Sequence, residues 1–336
     1  LKYLYQSDNE ILLLCASGTG AMEGTVTNFL SPGDKALVVN GGKFGERWVE
    51  LCQAYGVAVE TIEVPWGRAV DPKEIAAGLQ RSPEVKAVFI QASETSTGVC
   101  HDVQAIGEIV RGYDGTILVV DAITALGVFP LKTDAWGLDV VVAGSQKALM
   151  LPPGLALVSV SRKAWGLAEV SRLPRYYFDF QKERKAQAKN QNAYTPAVSL
   201  IMGLREVLRE IKREGLETIF SRHEKLAQAT RAGMEALGLE LYAPDSPSPA
   251  VTAVKVPPGL DGAAIPKILR EEFGITIAGG QDQVKGKIFR ISHMGYIEIF
   301  DIITVTAALE MVLKRLGWEV PFGKGVGAVL AAYHEH

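Results

Sequence analysis

The sequence predicts an α/β fold, in which a central, mostly parallel β-sheet is sandwiched by helices and followed by a smaller C-terminal α+β domain. Up to about residue 161, short β-branched or aliphatic runs alternate with segments of helical period, as in sheets with crossover helices. Most of these runs are continuously apolar, which indicates that helices cover both faces of the sheet. The chain has 336 residues, more than one hydrophobic core comfortably serves, so we expect a second domain.

Each strand of the central sheet is predicted from one such run. The predicted strands cover residues 11–16, 35–39, 57–64, 85–91, 116–122, 139–143 and 155–161. A helix is expected over residues 22–30, shortly after the first strand. Residues 175–190 carry three consecutive aromatic side chains and then many Lys, Arg and Gln residues with weak periodicity, so we expect a long loop or interface arm there.

The C-terminal part of the chain begins with two long helices, which the spacing of apolar residues by three and four predicts from Pro196 to about Gly215 and over 216–237. The elements predicted beyond Gly238 are a strand over 250–256, a helix over 262–273 capped by Asp261, strands over 275–278 and 288–292, and a helix over 298–316. We divide the chain into a large domain, residues 1–217, and a small domain, residues 218–336.

The two ends of the chain carry little signal of their own. The tail after Trp318 has no clear predicted element. The chain begins at Leu1 shortly before a strand, and we therefore expect an N-terminal segment to be missing from this sequence.

Composition and charge argue against several partners. The formal net charge is −3, so there is no overall positive field that would attract nucleic acid or an acidic membrane surface. No apolar run approaches the ~20 residues of a membrane span. The three cysteines, Cys15, Cys52 and Cys100, lack the short spacing of metal sites, so we expect reduced thiols, no metal and a cytoplasmic protein.

A glycine-rich turn follows the first predicted strand, in the order Ser17-Gly-Thr-Gly-Ala21. Glycines let the backbone approach a ligand closely, and the N–H groups at a helix start attract phosphate. A plain tight turn is the alternative. A dinucleotide site is disfavoured, because the glycine spacing departs from GxGxxG and the next strand ends in Asn40 instead of an acidic residue.

Two ionisable residues end neighbouring predicted strands. Asp121 ends the apolar run that begins at residue 116, and Lys147 follows the next run. The carboxyl ends of parallel strands share one rim of a sheet, so both side chains should reach the same crevice. A helix N-cap is the alternative for Asp121, and an ordinary surface lysine is the alternative for Lys147.

Together these features match one cofactor. A phosphate-binding turn, an acid for a pyridinium nitrogen and an amine for an aldehyde are the three anchors that pyridoxal 5′-phosphate requires. Their joint occurrence at successive strand ends is much less probable by chance than any single feature, so we favour this interpretation.

With these motifs the sequence resembles the class V aminotransferases, which are pyridoxal-phosphate-dependent transferases of fold type I, and within them the alanine–glyoxylate and serine–glyoxylate (serine–pyruvate) branch. The resemblance covers nearly the whole chain. Its specific passages are Ala16-Ser-Gly-Thr-Gly-Ala-Met-Glu, Leu30-Ser-Pro-Gly-Asp, Glu94-Thr-Ser-Thr-Gly-Val, Val119-Val-Asp-Ala-Ile-Thr, Gly144-Ser-Gln-Lys-Ala-Leu, Pro152-Pro-Gly, Thr195-Pro-Ala-Val-Ser-Leu and Phe289-Arg-Ile-Ser-His-Met-Gly.

The resemblance implies a role for each residue of the site. Lys147 would form the Schiff base with the cofactor and move the substrate proton, while Asp121 would pair with the ring nitrogen. The cofactor's other contacts would be Thr19, Gly20, Ala21 and Gln146 at the phosphate, Phe44 and Ile123 on the two faces of the ring, and Thr95 at the ring hydroxyl. Core packing is the alternative for Phe44 and Ile123.

Two further residues extend the resemblance to the substrate and to a second subunit. Arg290 would bind the substrate carboxylate, the alternative being a surface ion pair. Thr195 would reach the cofactor phosphate of the neighbouring subunit, which implies a homodimer with shared active sites. Asn192 stands where some relatives have tyrosine, so a second contact of this kind is in doubt, and His293 stays unassigned.

The predicted function is a transaminase that moves an amino group from a small amino acid, alanine or serine, to a small 2-oxo acid, glyoxylate or pyruvate, by a ping-pong route. A lyase such as a cysteine desulfurase is the alternative, although it needs a nucleophilic cysteine near the substrate arginine. A nicotinamide dehydrogenase and a binding paralogue without turnover are less favoured.

Overall fold

The computed structural model describes residues 1–335. Its strands are β1 (Glu10–Leu14), β2 (Lys35–Asn40), β3 (Ala58–Glu63), β4 (Val85–Gln91), β5 (Ser93–Glu94), β6 (Val99–Cys100), β7 (Ile117–Asp121), β8 (Val140–Gly144), β9 (Ala156–Val160), β10 (Val251–Lys255), β11 (Ala278–Gly279) and β12 (Ile288–Ser292). Its α-helices are α1 (Lys2–Tyr5), α2 (Gly18–Phe29), α3 (Lys43–Ala54), α4 (Pro72–Arg81), α5 (Val103–Val110), α6 (Arg162–Val170), α7 (Phe180–Gln187), α8 (Val198–Glu214), α9 (Leu216–Ala236), α10 (Ala264–Phe273), α11 (Ile299–Arg315) and α12 (Lys324–Glu335).

A mostly parallel sheet forms the larger part of the fold, as predicted. Within residues 1–335 it has seven strands in the order β1-β9-β8-β7-β4-β2-β3. Strand β9 is antiparallel to both of its neighbours, whereas the pairs from β8 through β3 are parallel. Strand β1 therefore runs in the same direction as β8. The carboxyl ends of β1, β7 and β8 open on one rim of the sheet.

Helices cover both faces of this sheet, which confirms the reading of its continuously apolar strands. One face packs on α4, α5 and α8, and the other packs on α2, α3 and α6. Every residue of β7 and β8 is buried. Each buried aliphatic side chain stabilises the fold by about 1.5–3 kcal/mol, so these layers hold the strand ends firmly in place.

A second apolar core surrounds the small antiparallel sheet, whose order is β10-β12-β11. The predicted strand over 275–278 is wrong: only Ala278 and Gly279 pair with β12, because Ile275 and Ile277 pack through their side chains without joining the ladder. Helix α9 serves both cores, since its first turns pack in the large core and its later turns in the small one. Our proposed domain boundary between residues 217 and 218 falls at the start of this shared helix.

Two segments without a predicted element are helical. Residues 175–190 contain α7, whose start is capped by Asp179: its Oδ1 accepts a hydrogen bond of 3.0 Å from the Lys182 N–H. The tail contains α12, which meets α9 through one glycine of each helix, Gly325 and Gly233. A Cβ atom on Gly325 would lie 2.7 Å from Leu237 Cδ2, and one on Gly233 would lie 2.6 Å from Val329 Cγ2. Close packing against α9 therefore stabilises this helix, which its glycine-rich sequence does not predict.

A buried carboxylate fixes the start of α12. The side chain of Glu310 accepts backbone hydrogen bonds from Gly323 at 2.7 Å, Gly325 at 2.9 Å and Val326 at 3.3 Å. These N–H groups belong to the first turn or precede it, where a helix offers no partners of its own. Because Glu310 is 3% exposed, water cannot easily replace the carboxylate. No helix within the described range 1–335 is both long and apolar enough to cross a bilayer.

We expect Glu310→Ala to lower the free energy of unfolding by about 1–3 kcal/mol, because buried N–H groups lose their charged acceptor. Urea unfolding followed by circular dichroism measures the change. Glu319→Ala is the control, since that acid is exposed and pairs only with Lys314, and its effect should stay below about 0.5 kcal/mol. Equal midpoints for the two variants would contradict the proposed cap.

Candidate active site

A cavity opens at the rim where β7 and β8 end and where α2 and α3 begin. Most of the residues predicted to hold a cofactor share it. Its lining residues are Ser17, Gly18, Thr19, Phe44, Arg47, Ser93, Thr95, Asp121, Ile123, Thr124, Gln146 and Lys147. The structure thus brings together residues from five separate stretches of the chain, and the expected convergence at one sheet rim is confirmed.

The glycine-rich turn is the first turn of α2, which starts at Gly18 and not at residue 22 as expected. Its glycines permit close approach. A Cβ atom on Gly18 would lie 2.3 Å from Ile123 Cδ1, and one on Gly20 would lie 2.8 Å from Ala16 Cβ. The N–H groups of Gly20 and Ala21 donate to the Ser17 carbonyl at 2.9 and 3.4 Å, so the earlier N–H groups of the turn are the better anion donors.

Asp121 is buried at the end of β7. Its Oδ1 accepts a hydrogen bond of 2.8 Å from the Ile123 N–H. The following residues form turns and no α-helix, so the helix-cap alternative for Asp121 is wrong. Burial raises the pKa of this carboxyl to about 7, with a further increase from Glu94 that Arg47 and Lys147 oppose. A cationic partner in the cavity would restore the charged carboxylate.

Lys147 lines the same cavity from the end of β8 and is half-buried. Burial lowers the pKa of its amine, and Arg290 lowers it further, while Asp121 acts in the opposite direction. These shifts favour the uncharged amine, which is the form that attacks a carbonyl group. The surface alternative for this lysine is wrong.

The remaining lining residues offer polar groups and apolar walls. Gln146 Oε1 is buried without a hydrogen-bond partner among residues 1–335, so this oxygen can accept a hydrogen bond from a donor. The hydroxyls of Thr95 and Thr124 lie 2.9 Å apart. Phe44 and Ile123 supply apolar surface. An acid, an amine, a buried amide and a helix start around apolar walls suit a charged aromatic ligand of the pyridoxal phosphate type.

Arg290 lies on β12 at the edge of this cavity. Its Nη1 donates to the Thr95 carbonyl at 2.8 Å, and its Nε and Nη2 donate to the Gly279 carbonyl at 3.1 and 2.8 Å. Burial lowers the pKa of the guanidinium, and Glu94 opposes that shift. These partners are neutral carbonyls in a buried setting, so the surface ion-pair alternative is wrong.

Glu94 is a central residue that sequence reasoning missed. Its carboxylate accepts hydrogen bonds from the Phe44 and Gly45 N–H groups, both at 3.1 Å, and from the Ser96 N–H at 3.2 Å. A Cβ atom on Gly42 would lie 2.4 Å from the Cδ of Glu94, so a side chain at position 42 would collide with this carboxylate. Glu94 therefore fixes the start of α3, and with it Phe44. Nothing in the sequence shows that this acid is buried.

Arg47 is a second missed residue. It lies one helical turn after Phe44 on α3, and its Cζ is 4.9 Å from the centre of that ring. Its Nη1 donates to Thr19 Oγ1 at 3.3 Å. The spacing of three residues from Phe44 is the signal that could have placed it on the cavity face of α3.

Thr195 lies outside this cavity. It borders a separate narrow cleft with Cys15, whose thiol is 3.5 Å from the Thr195 carbonyl. Asn192 borders the same cleft and donates to Glu183 at 2.9 Å. His293 is buried, with Nε2 3.0 Å from Thr252 Oγ1. The role of Thr195 toward a second subunit stays a prediction.

The chain resembles known proteins along nearly its whole length. The family model described as "Aminotransferase class-V" matches residues 2–317. The "Soluble hydrogenase 42 kDa subunit" of Anabaena cylindrica is 49% identical over 335 residues, 99% of this chain and 87% of that protein. Serine–glyoxylate aminotransferase of Methylorubrum extorquens is 36% identical over 346 residues, 100% of this chain and 86% of that protein.

The fold agrees with these matches. The crystal structure of pyridoxamine–pyruvate aminotransferase from Mesorhizobium loti superposes with a TM-score of 0.95 at 30% identity, covering 99% of this chain and 86% of that one. The fold and site define an aminotransferase of fold type I. More narrowly, the chain belongs to the class V aminotransferase family, so the resemblance seen in the sequence is confirmed. Across residues 1–335, no three His, Cys, Asp or Glu side chains are grouped so that they could hold a metal ion.

We expect Asp121 to make the cofactor-free protein less stable as the pH rises. Its folded pKa of about 7 exceeds the ordinary value of 3.8, so between those values the folded state holds a proton that the unfolded chain has lost. Relative to Asp121→Asn, the wild type should lose at most about 1.4 kcal/mol per pH unit across this range. Unfolding midpoints at several pH values measure this difference. Asp114→Asn, an exposed control, should follow the wild type, and a flat difference for Asp121→Asn would show that Asp121 titrates normally.

Proposed function

We propose that this chain is a pyridoxal-phosphate-dependent transaminase that moves an amino group from a small amino acid, alanine or serine, to glyoxylate or pyruvate by a ping-pong route. The observation that carries the proposal is the shared cavity of Lys147 and Asp121, a lysine amine with a lowered pKa and a buried acid. The names of two similar proteins, a serine–glyoxylate and a pyridoxamine–pyruvate aminotransferase, support this choice of acceptors.

The chain's own residues supply what the cofactor needs. Pyridoxal phosphate supplies an aldehyde that accepts the amino group and a ring that withdraws electrons from the reacting carbon. Asp121 would hold the ring nitrogen in its protonated form, because a buried carboxylate gains most from a cationic partner. Thr19, Gln146 and the first N–H groups of α2 would hold the phosphate, Phe44 and Ile123 the faces of the ring, and Thr95 its hydroxyl. Gly20 and Ala21 would shape the turn, because their own N–H groups donate to the Ser17 carbonyl.

Lys147 would act twice. Its uncharged amine would be the group that holds the cofactor aldehyde, with release of water, and its Nζ would later move the proton at the substrate α-carbon. Arg290 would bind the substrate carboxylate, since a guanidinium held by carbonyl groups keeps its orientation and its full charge. Amino donor and oxo acceptor present the same carboxylate, so one arginine serves both half-reactions.

The lyase alternative requires a cysteine thiol near the substrate, and no cysteine lines the cavity. Cys52 is buried in α3 and Cys100 lies in β6, and burial raises the pKa of each thiol to about 12. Cys15 borders the cleft next to Thr195. The lining residues of the cavity thus include none of the three cysteines, and a cysteine desulfurase is disfavoured. The free thiols also support a cytoplasmic location.

A homodimer with shared active sites is part of the proposal. Thr195 would contact the cofactor phosphate of the neighbouring subunit. Large apolar side chains are exposed both before and after Thr195 in the sequence. The exposed residues are Tyr176, Tyr177, Val198 and Met202, with Met150 close to the site lysine in sequence. Tyr177 stacks on Tyr194 with ring centres 4.9 Å apart. A second copy of this chain would cover this patch and bring Thr195 to its cavity.

We expect the purified protein with pyridoxal phosphate to absorb at about 410–430 nm, the region of a conjugated Schiff base. Lys147→Ala should lose this band, because no other lining residue carries an amine. The exposed Lys132→Ala is the matched control and should keep it. A colourless wild type after addition of the cofactor would refute the proposed function.

We expect Arg290→Ala to raise KM about 10- to 100-fold for amino donor and oxo acceptor alike, because a charge-assisted hydrogen bond to the common carboxylate is lost. Steady-state kinetics across alanine, serine, aspartate, glyoxylate and pyruvate measure this and also rank the substrates. Arg270→Ala, on the exposed side of α10, is the control. An increase for only one substrate class would remove Arg290 from the shared role.

We expect sedimentation equilibrium to give about twice the chain mass of 36.2 kDa, and Met202→Glu to shift the protein toward the monomer. The new charge would be buried without a partner in the proposed interface. Phe322→Glu, also at an exposed apolar residue but near the C-terminal end, should leave the mass unchanged. A wild-type monomer would exclude the shared sites.

A further inference from the structure

The fold alone does not determine which form of vitamin B6 this cavity accepts. One structural neighbour is named for pyridoxamine, a compound without a phosphate, although it superposes along 99% of this chain. The phosphorylated and unphosphorylated forms differ by a dianion. The groups that face the phosphate end of the cavity therefore decide between them, and the question rests on the proposed function.

The groups so far assigned to the phosphate are all uncharged. They are the N–H groups at the start of α2, the Thr19 hydroxyl and the Gln146 amide. A helix start contributes about half a positive charge. A phosphate dianion in a partly closed cavity loses much of its hydration, and buried charge is stable only when it is paired. The uncharged donors leave most of the dianion's charge without a counterpart.

Arg47 is placed to supply that charge. It lines the cavity, and its Nη1 lies 3.3 Å from Thr19 Oγ1, the hydroxyl assigned to the phosphate. The face of Phe44, 4.9 Å from Cζ, supports the guanidinium through a cation–π contact. Within residues 1–335, no carboxylate oxygen lies within salt-bridge distance of Arg47. In this part of the chain Nη1 alone of its nitrogens makes a hydrogen bond, so Nε and Nη2 can bind an anion.

The electrostatics of the site agree with this position. Arg47 is a half-buried cation near enough to Asp121 to lower that group's pKa. It therefore acts on the acid at the end of β7 while its Nη1 contacts Thr19 at the start of α2. Lys147 cannot take its place, because its amine is required at the aldehyde in uncharged form.

We propose that Arg47 binds the phosphate group of the cofactor and makes the cavity selective for the phosphorylated form of vitamin B6. The guanidinium forms charge-assisted hydrogen bonds to phosphate oxygens, and Thr19 orients it through the bond to Oγ1. Arg47 is thus a binding residue for the phosphate, separate from the residues that act on the ring or on the substrate.

The test compares two ligands that differ only in the phosphate. Cofactor-free wild type, Arg47→Gln, Arg47→Lys and Thr19→Val are titrated with pyridoxal phosphate and with pyridoxal, and the Schiff-base absorbance gives each Kd. Inorganic phosphate is added as a competitor of pyridoxal phosphate. Arg81→Gln is the matched control, because Arg81 is an exposed arginine of α4 that pairs with Glu60.

We expect Arg47→Gln to weaken pyridoxal phosphate binding about 10- to 100-fold and to leave the Kd for pyridoxal within about twofold. Arg47→Lys should recover part of the loss, and Thr19→Val should show a smaller loss of the same kind. Inorganic phosphate should compete with pyridoxal phosphate in the wild type and much less in Arg47→Gln.

Other outcomes overturn the inference. Equal losses for both ligands would mean that Arg47 acts through the ring contact of Phe44, and no loss for either would place it outside the site. A wild type that binds neither ligand would refute the proposed function itself, whereas normal wild-type binding with an unchanged Arg47→Gln refutes only the role of Arg47.

Discussion

The direction of the strands is the constraint on which the rest of the structure depends. Strand β9 runs opposite to its neighbours, so β1 joins the sheet edge while still running in the same direction as β8. The turn after β1 and the residues after β7 and β8 consequently meet at one rim. With β1 reversed, the start of α2 would lie at the far end of the sheet from Asp121 and Lys147. Apolar layers on both faces hold this arrangement and offset the cost of burying polar groups at the rim.

The charged groups near the cavity perturb one another in a way that suits a charged ligand. Glu94 raises the pKa of Asp121 and opposes the lowering of the Arg290 pKa, while Arg290 lowers the pKa of Lys147. Each buried group is thus held in a state that a ligand of complementary charge would relieve. Arg290 also ties the two cores together, because one of its carbonyl partners follows β5 and the other belongs to β11.

Two relatives that match nearly the whole chain are named for different activities. A protein 49% identical to this chain is named as a hydrogenase subunit, while one at 36% identity is named as a transaminase, and both matches extend over nearly the full chain. The family model agrees with the transaminase name, and so does the cavity, where an amine and a buried acid meet. The site residues are therefore a better guide to the chemistry than the rank of a match.

The sequence by itself determined the fold class, because that follows from local apolar runs. Short motifs at the strand ends also singled out Lys147, Asp121 and Arg290 as candidate site residues. The sequence failed at α7, α12 and β11, where packing of a glycine-rich or polar segment against a distant element decides the structure. Only the tertiary structure revealed Glu94 and Arg47 as parts of the site. The spacing from Phe44 could place Arg47 on the cavity face of α3, but burial and proximity across distant stretches of the chain set the charge interactions of both residues, and the sequence does not show these.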